Sequence, residues 1–227
     1  MTTPTFVRNN HFKEMKIMKR LLLCTMLMSL SVAMMGQKKL TAAQQQQIVA
    51  KINKATAALN ELQCDFTQTK SMKMLSKKMQ SSGVMYYKKS NKLRWQYNSP
   101  YTYTFILNGD KVRIISAKSS KKINVKDNKM FRHVSNIMID TMTGEGLKSS
   151  ADFNVEMYQR DKTYYAKLYP KKKELKQIYR VIEIHFNTAL TMVSSVMMEE
   201  KTGDVTVVKL SNVKTNNHIS EKIFSTE

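Results

Sequence analysis

Three features of this sequence predict a mainly-β chain, folded as a curved, unclosed barrel of about ten or eleven antiparallel strands with a helical cover. Short runs with a period of two recur along most of the chain, as they do in half-buried strands. Turn residues separate these runs, with Asn108-Gly109 as the strongest hairpin signal. The period changes to that of a helix in two places, Gln37–Leu59 and Asn128–Met142. Meandering strands with a helix at each end of the first half leave the helices one task, which is to cover the apolar side of the sheet.

The first 36 residues stand apart. Lys16, Lys19 and Arg20 precede the apolar run Leu21–Ala33, and small residues follow near Ser31-Val32-Ala33 and Gly36. A basic start, an apolar stretch of this length and small residues after it predict a secretory signal helix, cleaved near Ala33 or Gly36. The run is shorter than the ~20 apolar residues that span a bilayer. Residues 1–14 read as a possible upstream extension, with Met15 or Met18 as alternative starts. Cys24 lies inside the apolar run rather than at the cleavage point, so no lipid anchor is expected there. Residues 37–227 then form a single domain.

The whole chain carries 38 basic and 17 acidic residues; five and one of these fall in residues 1–36, leaving 33 against 16 and a formal charge of +17. Such a charge favours anionic partners, although lysines that alternate with apolar residues also describe a well-solvated outer face. Cys64 is the one cysteine left after cleavage, so no disulfide forms within the mature chain.

Along the mature chain, Ile48, Ile52, Ala55 and Leu59 recur at helical spacing behind Thr41, a suitable N-cap. Leu62–Ser71 alternates Leu62, Cys64 and Phe66 against Gln63, Asp65 and Thr67. Ser71–Lys78 interleaves lysine and methionine and reads as a basic loop. In Gly83–Asn98, Met85, Tyr87 and Lys89 share a face; across a Ser90-Asn91 turn, Leu93, Trp95 and Tyr97 share the facing one. Val84, Tyr86, Lys88, Lys92, Arg94 and Gln96 point the other way, giving an apolar, aromatic inner wall and a basic outer wall.

Strands follow at Tyr101–Leu107, Lys111–Ser116 and, after a basic turn at Lys118–Lys122, Ile123–Lys126. The Asn128–Met142 helix presents Phe131, Val134, Met138 and Met142 at helical spacing, widened by Met130, Ile137 and Ile139. Gly144 and Gly146 end it. Strands resume at Phe153-Val155-Met157, Thr163–Tyr169, Arg180–Asn187, Met192–Glu200 and Asp204–Asn212, with a tail ending at Ile223-Phe224. No internal repeat is present.

Catalytic chemistry finds no foothold. His133, His185 and His218 sit in distant segments, no spacing suits a metal, and the six glycines form no phosphate-cradling loop. Cys64 reads as a buried apolar thiol and His185 as a packing or surface residue. No enzyme activity, metal or cofactor is expected. Aromatics beside lysines would suit a nucleic-acid platform only if rings and cations shared one exposed face, and here they divide between two. No nucleic-acid partner is therefore expected.

Three segments resemble the periplasmic outer-membrane lipoprotein carriers, the LolA family. They are the helix with Leu62-Gln63-Cys64-Asp65-Phe66-Thr67-Gln68-Thr69, the stretch Gly83–Pro100, and the turn Asn108-Gly109-Asp110-Lys111. The resemblance implies an unclosed barrel with an α-helical lid over an apolar cavity that holds lipoprotein acyl chains. Phe66, Met85, Tyr87, Leu93, Trp95, Tyr97 and Phe105 from the sheet would line it. Phe131, Val134, Met138 and Met142 would come from the lid. Lys89 falls where the family usually has a lid-tying arginine, and implies a looser gate. The implied function is a periplasmic chaperone, expected to be monomeric. It would take acylated lipoproteins from an inner-membrane ABC transporter to an outer-membrane receptor or to the outer membrane itself. The resemblance also implies that the chain lacks a C-terminal strand found in some members, which bears on how it docks. A lipid- or lipopeptide-sensing module on the same fold is the alternative, and a basic exported polyanion binder a further one.

Overall fold

The structure, a computed structural model, describes residues 37–127, 137, 139, 147 and 152–227. Twelve strands form one antiparallel sheet: β1 (Lys38–Lys39), β2 (Glu61–Met72), β3 (Lys77–Lys88), β4 (Lys92–Ser99), β5 (Tyr103–Asn108), β6 (Lys111–Ser116), β7 (Ser119–Asn124), β8 (Phe153–Arg160), β9 (Thr163–Pro170), β10 (Tyr179–Phe186), β11 (Val193–Glu200) and β12 (Val205–Thr215). Their spatial order is β1-β8-β9-β10-β11-β12-β2-β3-β4-β5-β6-β7, so β1 and β7 are unjoined edges and the sheet is not closed. The N- and C-terminal series of strands meet where β12 pairs with β2, from Val205 opposite Ser71 to Thr215 opposite Leu62.

The helix α1 spans Ala42–Ala57. Thr41 caps it in a reciprocal box with Gln44: the Thr41 hydroxyl accepts from the Gln44 N–H, and the Gln44 side chain accepts from the Thr41 N–H. The expected helix began at Gln37, but Lys38 and Lys39 are instead the short strand β1, opposite Gln159 and Tyr158. Two residues are too few to show a period, and their partners lie more than a hundred positions away.

Two side-chain amides fasten α1. Gln45 accepts from the Met157 N–H and donates to the Val155 carbonyl of β8. At the other end Asn216 donates to the Ala58 carbonyl and accepts from the Asn60 N–H. With its ends tied to β8 and to the segment after β12, α1 lies across the strands between, and Ile48 and Ile52 enter their core. Gln45 and Asn216 thereby satisfy backbone groups that a helix end or sheet edge otherwise leaves unpaired.

Other boundaries moved for similar reasons. The basic loop expected at Ser71–Lys78 is half strand, because β2 and β3 stay paired out to Met72 opposite Lys77, leaving only a four-residue tip. The turn expected at Lys118–Lys122 is only the tip between Ser116 and Ser119, since β7 pairs along β6 from Ser119 onward. A short helix, Lys173–Ile178, occupies the lysine-rich stretch after β9 and buries Leu175. The helix expected at Asn128–Met142 lies outside the described residues except at Ile137 and Ile139, which are helical and buried.

Candidate functional site

The inner wall follows from register. Across β3 and β4, Tyr87 faces Leu93, Met85 faces Trp95, and Gly83 faces Tyr97. Trp95 in turn faces Phe105 of β5, while Cys64 and Phe66 of β2 face Met85 and Gly83. All these side chains except Gly83 belong to, or pack on, one apolar cluster with Ile48 and Ile52 of α1 and with Ile137, Ile139 and Leu147. Each buried residue of this size contributes about 1.5–3 kcal/mol relative to exposure.

Gly83 is set by close approach. A Cβ there would lie 1.8 Å from the Gln96 carbonyl oxygen and 2.9 Å from the Phe66 ring. Without one, β4 closes onto β3 at an irregularity in register, and Phe66 slides beneath Trp95 and Tyr97. The Phe66 and Trp95 ring centroids are 4.4 Å apart, and Tyr97 meets Phe66 edge-on at 5.1 Å. Tyr97 Oη donates to Gln68 at 2.9 Å, whereas the buried Trp95 Nε1 has no acceptor among the described residues. Burial pushes the Tyr97 phenol up. It also pushes the Cys64 thiol up to about 12, so Cys64 packs as an apolar side chain, as its strand position predicts.

The seven sheet residues expected on this wall, Phe66, Met85, Tyr87, Leu93, Trp95, Tyr97 and Phe105, are therefore brought together. Phe131, Val134, Met138 and Met142 lie outside the described residues. Lys89 is exposed just past β3; its backbone N–H donates to the Asn60 carbonyl, and its side chain has no partner among the described residues.

The outer wall holds what sequence reading missed. Lys88 lies 2.8 Å from Glu61 and 2.9 Å from Glu221, and Lys92 lies 2.6 Å from Glu221. Arg94 Nη1 donates to the Ile223 carbonyl, Asn108 to the Phe224 carbonyl, and Arg113 to the Glu227 carbonyl. The predicted basic face thus holds down the C-terminal segment, and Phe224 is fully buried on it. Lys92 and then Lys88, hydrogen-bonded to Glu221, hold its carboxyl down at about 2. Lys88 likewise lowers Glu61.

Farther along the same outer face, Tyr165 stacks between Tyr158, at 5.4 Å, and His185, at 4.9 Å. Glu183 takes Lys167 at 3.2 Å and His185 at 3.3 Å. Cross-strand register assembles this ladder from three strands, and no local motif announces it. Among the described residues no His, Cys, Asp or Glu cluster is arranged to hold a metal, and no helix is long and apolar enough to cross a membrane.

A family model described as "Outer membrane lipoprotein carrier protein LolA" matches residues 57–227. No curated protein sequence matches. Among solved structures, a LolA superfamily protein from Nitrosomonas europaea is 12% identical, with a TM-score of 0.45 over 80% of this chain and 97% of that one. The Mycobacterium tuberculosis lipoprotein LppX is 9% identical, with a TM-score of 0.45 over 79% and 99%. The MucA/MucB complex of Pseudomonas aeruginosa gives 9% identity and a TM-score of 0.46 over 81% of this chain and 61% of that one.

Proposed function

We propose a function from one premise: this chain belongs to the outer membrane lipoprotein carrier protein family, LolA. On this reading the chain is exported, residues 1–36 are removed, and the mature protein works in the periplasm as a monomeric chaperone. It takes acylated lipoproteins from an inner-membrane ABC transporter and carries them to the outer membrane or to a receptor there. It binds and releases; it catalyses nothing. The observation that supports this most is the continuous apolar wall from Phe66 through Trp95 to Phe105, facing a helical cover rather than a second sheet.

The energetics fit the task. Each buried methylene is worth about 0.8 kcal/mol, so a chain of roughly sixteen carbons is worth on the order of 10 kcal/mol and does not stay dissolved alone. A carrier has to shield that length and still let go. Aromatic rings give this wall area, and Met85 and Met157, both buried in the same cluster, give it side chains that adapt to varied guests. Phe131, Val134, Met138 and Met142 would supply the opposing surface from the cover. Lys89 would gate it, holding the cover by a point charge instead of the planar fork of an arginine.

The test is transfer. The purified protein, incubated with a triacylated lipoprotein, should keep it soluble in a stoichiometric complex and give it up to outer-membrane vesicles. Soluble complexes that never release cargo would favour the lipid-sensing alternative. Failure to solubilise the lipoprotein would contradict both.

A further inference from the structure

Antiparallel order sends alternate strand ends to two rims of the sheet, and the rims differ. One gathers the β2–β3 tip, the loop from Ser99 to Tyr103, the β6–β7 turn, the β11–β12 turn and the end of β9. All five exposed large apolar side chains among the described residues lie on this rim: Met74 (88% exposed), Leu75 (67%), Tyr101 (57%), Met79 and Tyr169. The other rim, which holds the Ser90-Asn91 and Asn108-Gly109 turns, has none among the described residues.

Basic residues surround these exposed apolar groups. Lys73, Lys77 and Lys78 flank Met74, Leu75 and Met79, Lys118 caps the β6–β7 turn, and none of these four makes an ion pair among the described residues. The nearby carboxylates are taken: Glu200 by Lys70 at 2.9 Å, and Asp152 by Lys172 at 2.5 Å. Asp204 accepts from the Lys73 N–H, which fixes the base of the tip and turns its apolar side chains outward. β4 ends at Ser99 opposite Ser82, so the first residues of β3, Lys77 to Ser81, project with no neighbour on that side.

Apolar groups at the apex with unpaired cations behind them match the layering of a bilayer that has anionic headgroups over hydrocarbon. We propose that this rim docks the protein on an anionic phospholipid surface, with Met74 and Leu75 entering the acyl boundary and the flanking lysines on the headgroups. The proposal names the surface met in the delivery proposed above, but its evidence is independent of what the interior holds.

The test is co-sedimentation with vesicles of phosphatidylethanolamine and phosphatidylglycerol, beside vesicles of phosphatidylcholine alone. Acyl-chain binding and thermal stability are measured on the same samples. The unsubstituted protein should favour the anionic vesicles and lose binding as salt rises. The pair Met74→Ser and Leu75→Ser should lower partitioning about a hundredfold or more, on the scale expected for two exposed side chains that enter lipid, with acyl-chain binding and stability unchanged. A Lys162→Ser and Lys214→Ser pair on the opposite rim should retain vesicle binding. Three results would overturn the proposal: unchanged binding by the tip pair, equal loss by the opposite-rim pair, or acyl-chain binding lost in step at the tip.

Discussion

The β2–β3 hairpin uses the same residue types at its two ends for opposite purposes. At its base, Met85 is fully buried against Trp95, and Lys88 sits between the carboxylates of Glu61 and Glu221. At its tip, Met74 is almost bare, and Lys77 and Lys78 have no ion pair among the described residues. Composition does not separate the two ends; flanking strands do. The base has β12 on one side, β4 on the other, a helical cover within and the C-terminal segment outside, whereas near the tip β4 has already ended. Position in the sheet turns one methionine into core and leaves another free to meet a partner.

The largest break in this comparison should come from the base. Phe66→Ala removes a buried ring packed against Trp95, and should cost about 3–5 kcal/mol in urea unfolding. Leu75→Ser at the tip should stay within about 0.5 kcal/mol, as exposed substitutions do. Equal losses would erase the distinction. Gly83→Ala comes next. Its methyl group would lie 1.8 Å from the Gln96 carbonyl, so β4 must part from β3, at a cost of about 1–3 kcal/mol. Trp95 emission should move to the red as the wall opens.

The smallest effect sharpens the outer half of the comparison. Glu221 titrates near 2 instead of its ordinary 4.5, so the stability it adds is complete above about 4.5 and is lost as pH falls toward 2. Glu221→Gln should therefore be less stable than the unsubstituted protein near neutrality, and the gap should close between pH 4.5 and 2. A constant gap across that window would mean that Lys88 and Lys92 do not clamp the C-terminal segment through this carboxylate.

What the sequence revealed and what it hid divide along the same physical line. Gly83–Asn98 was legible because alternation over adjacent strands fixes which side chains share a face, and the register of Met85 with Trp95 bears this out. Thr41 was legible because a helix cap is a contact between residues three apart. The strand at Lys38–Lys39, the amide clamps of Gln45 and Asn216, and the grip of Arg94 and Asn108 on the C-terminal carbonyls join residues more than a hundred positions apart. Each rests on a few isolated contacts, with no repeating pattern to expose it. The basic outer wall was legible as basic, but its partner was not, because the C-terminal segment lies on it as irregular chain and a short 3-10 turn. The lid residues Phe131, Val134, Met138 and Met142 rest on helical spacing alone.

The central claim is that acyl chains bind against the inner wall, and Trp95, the sole tryptophan, reports on that wall. A lipopeptide whose acyl chains carry a bromine quencher should be titrated into the protein while Trp95 emission is followed. The account predicts blue-shifted emission that is quenched saturably at a fixed stoichiometry, and equally at low and high salt. Lipopeptide that binds without quenching Trp95, or does not bind at all, would contradict it.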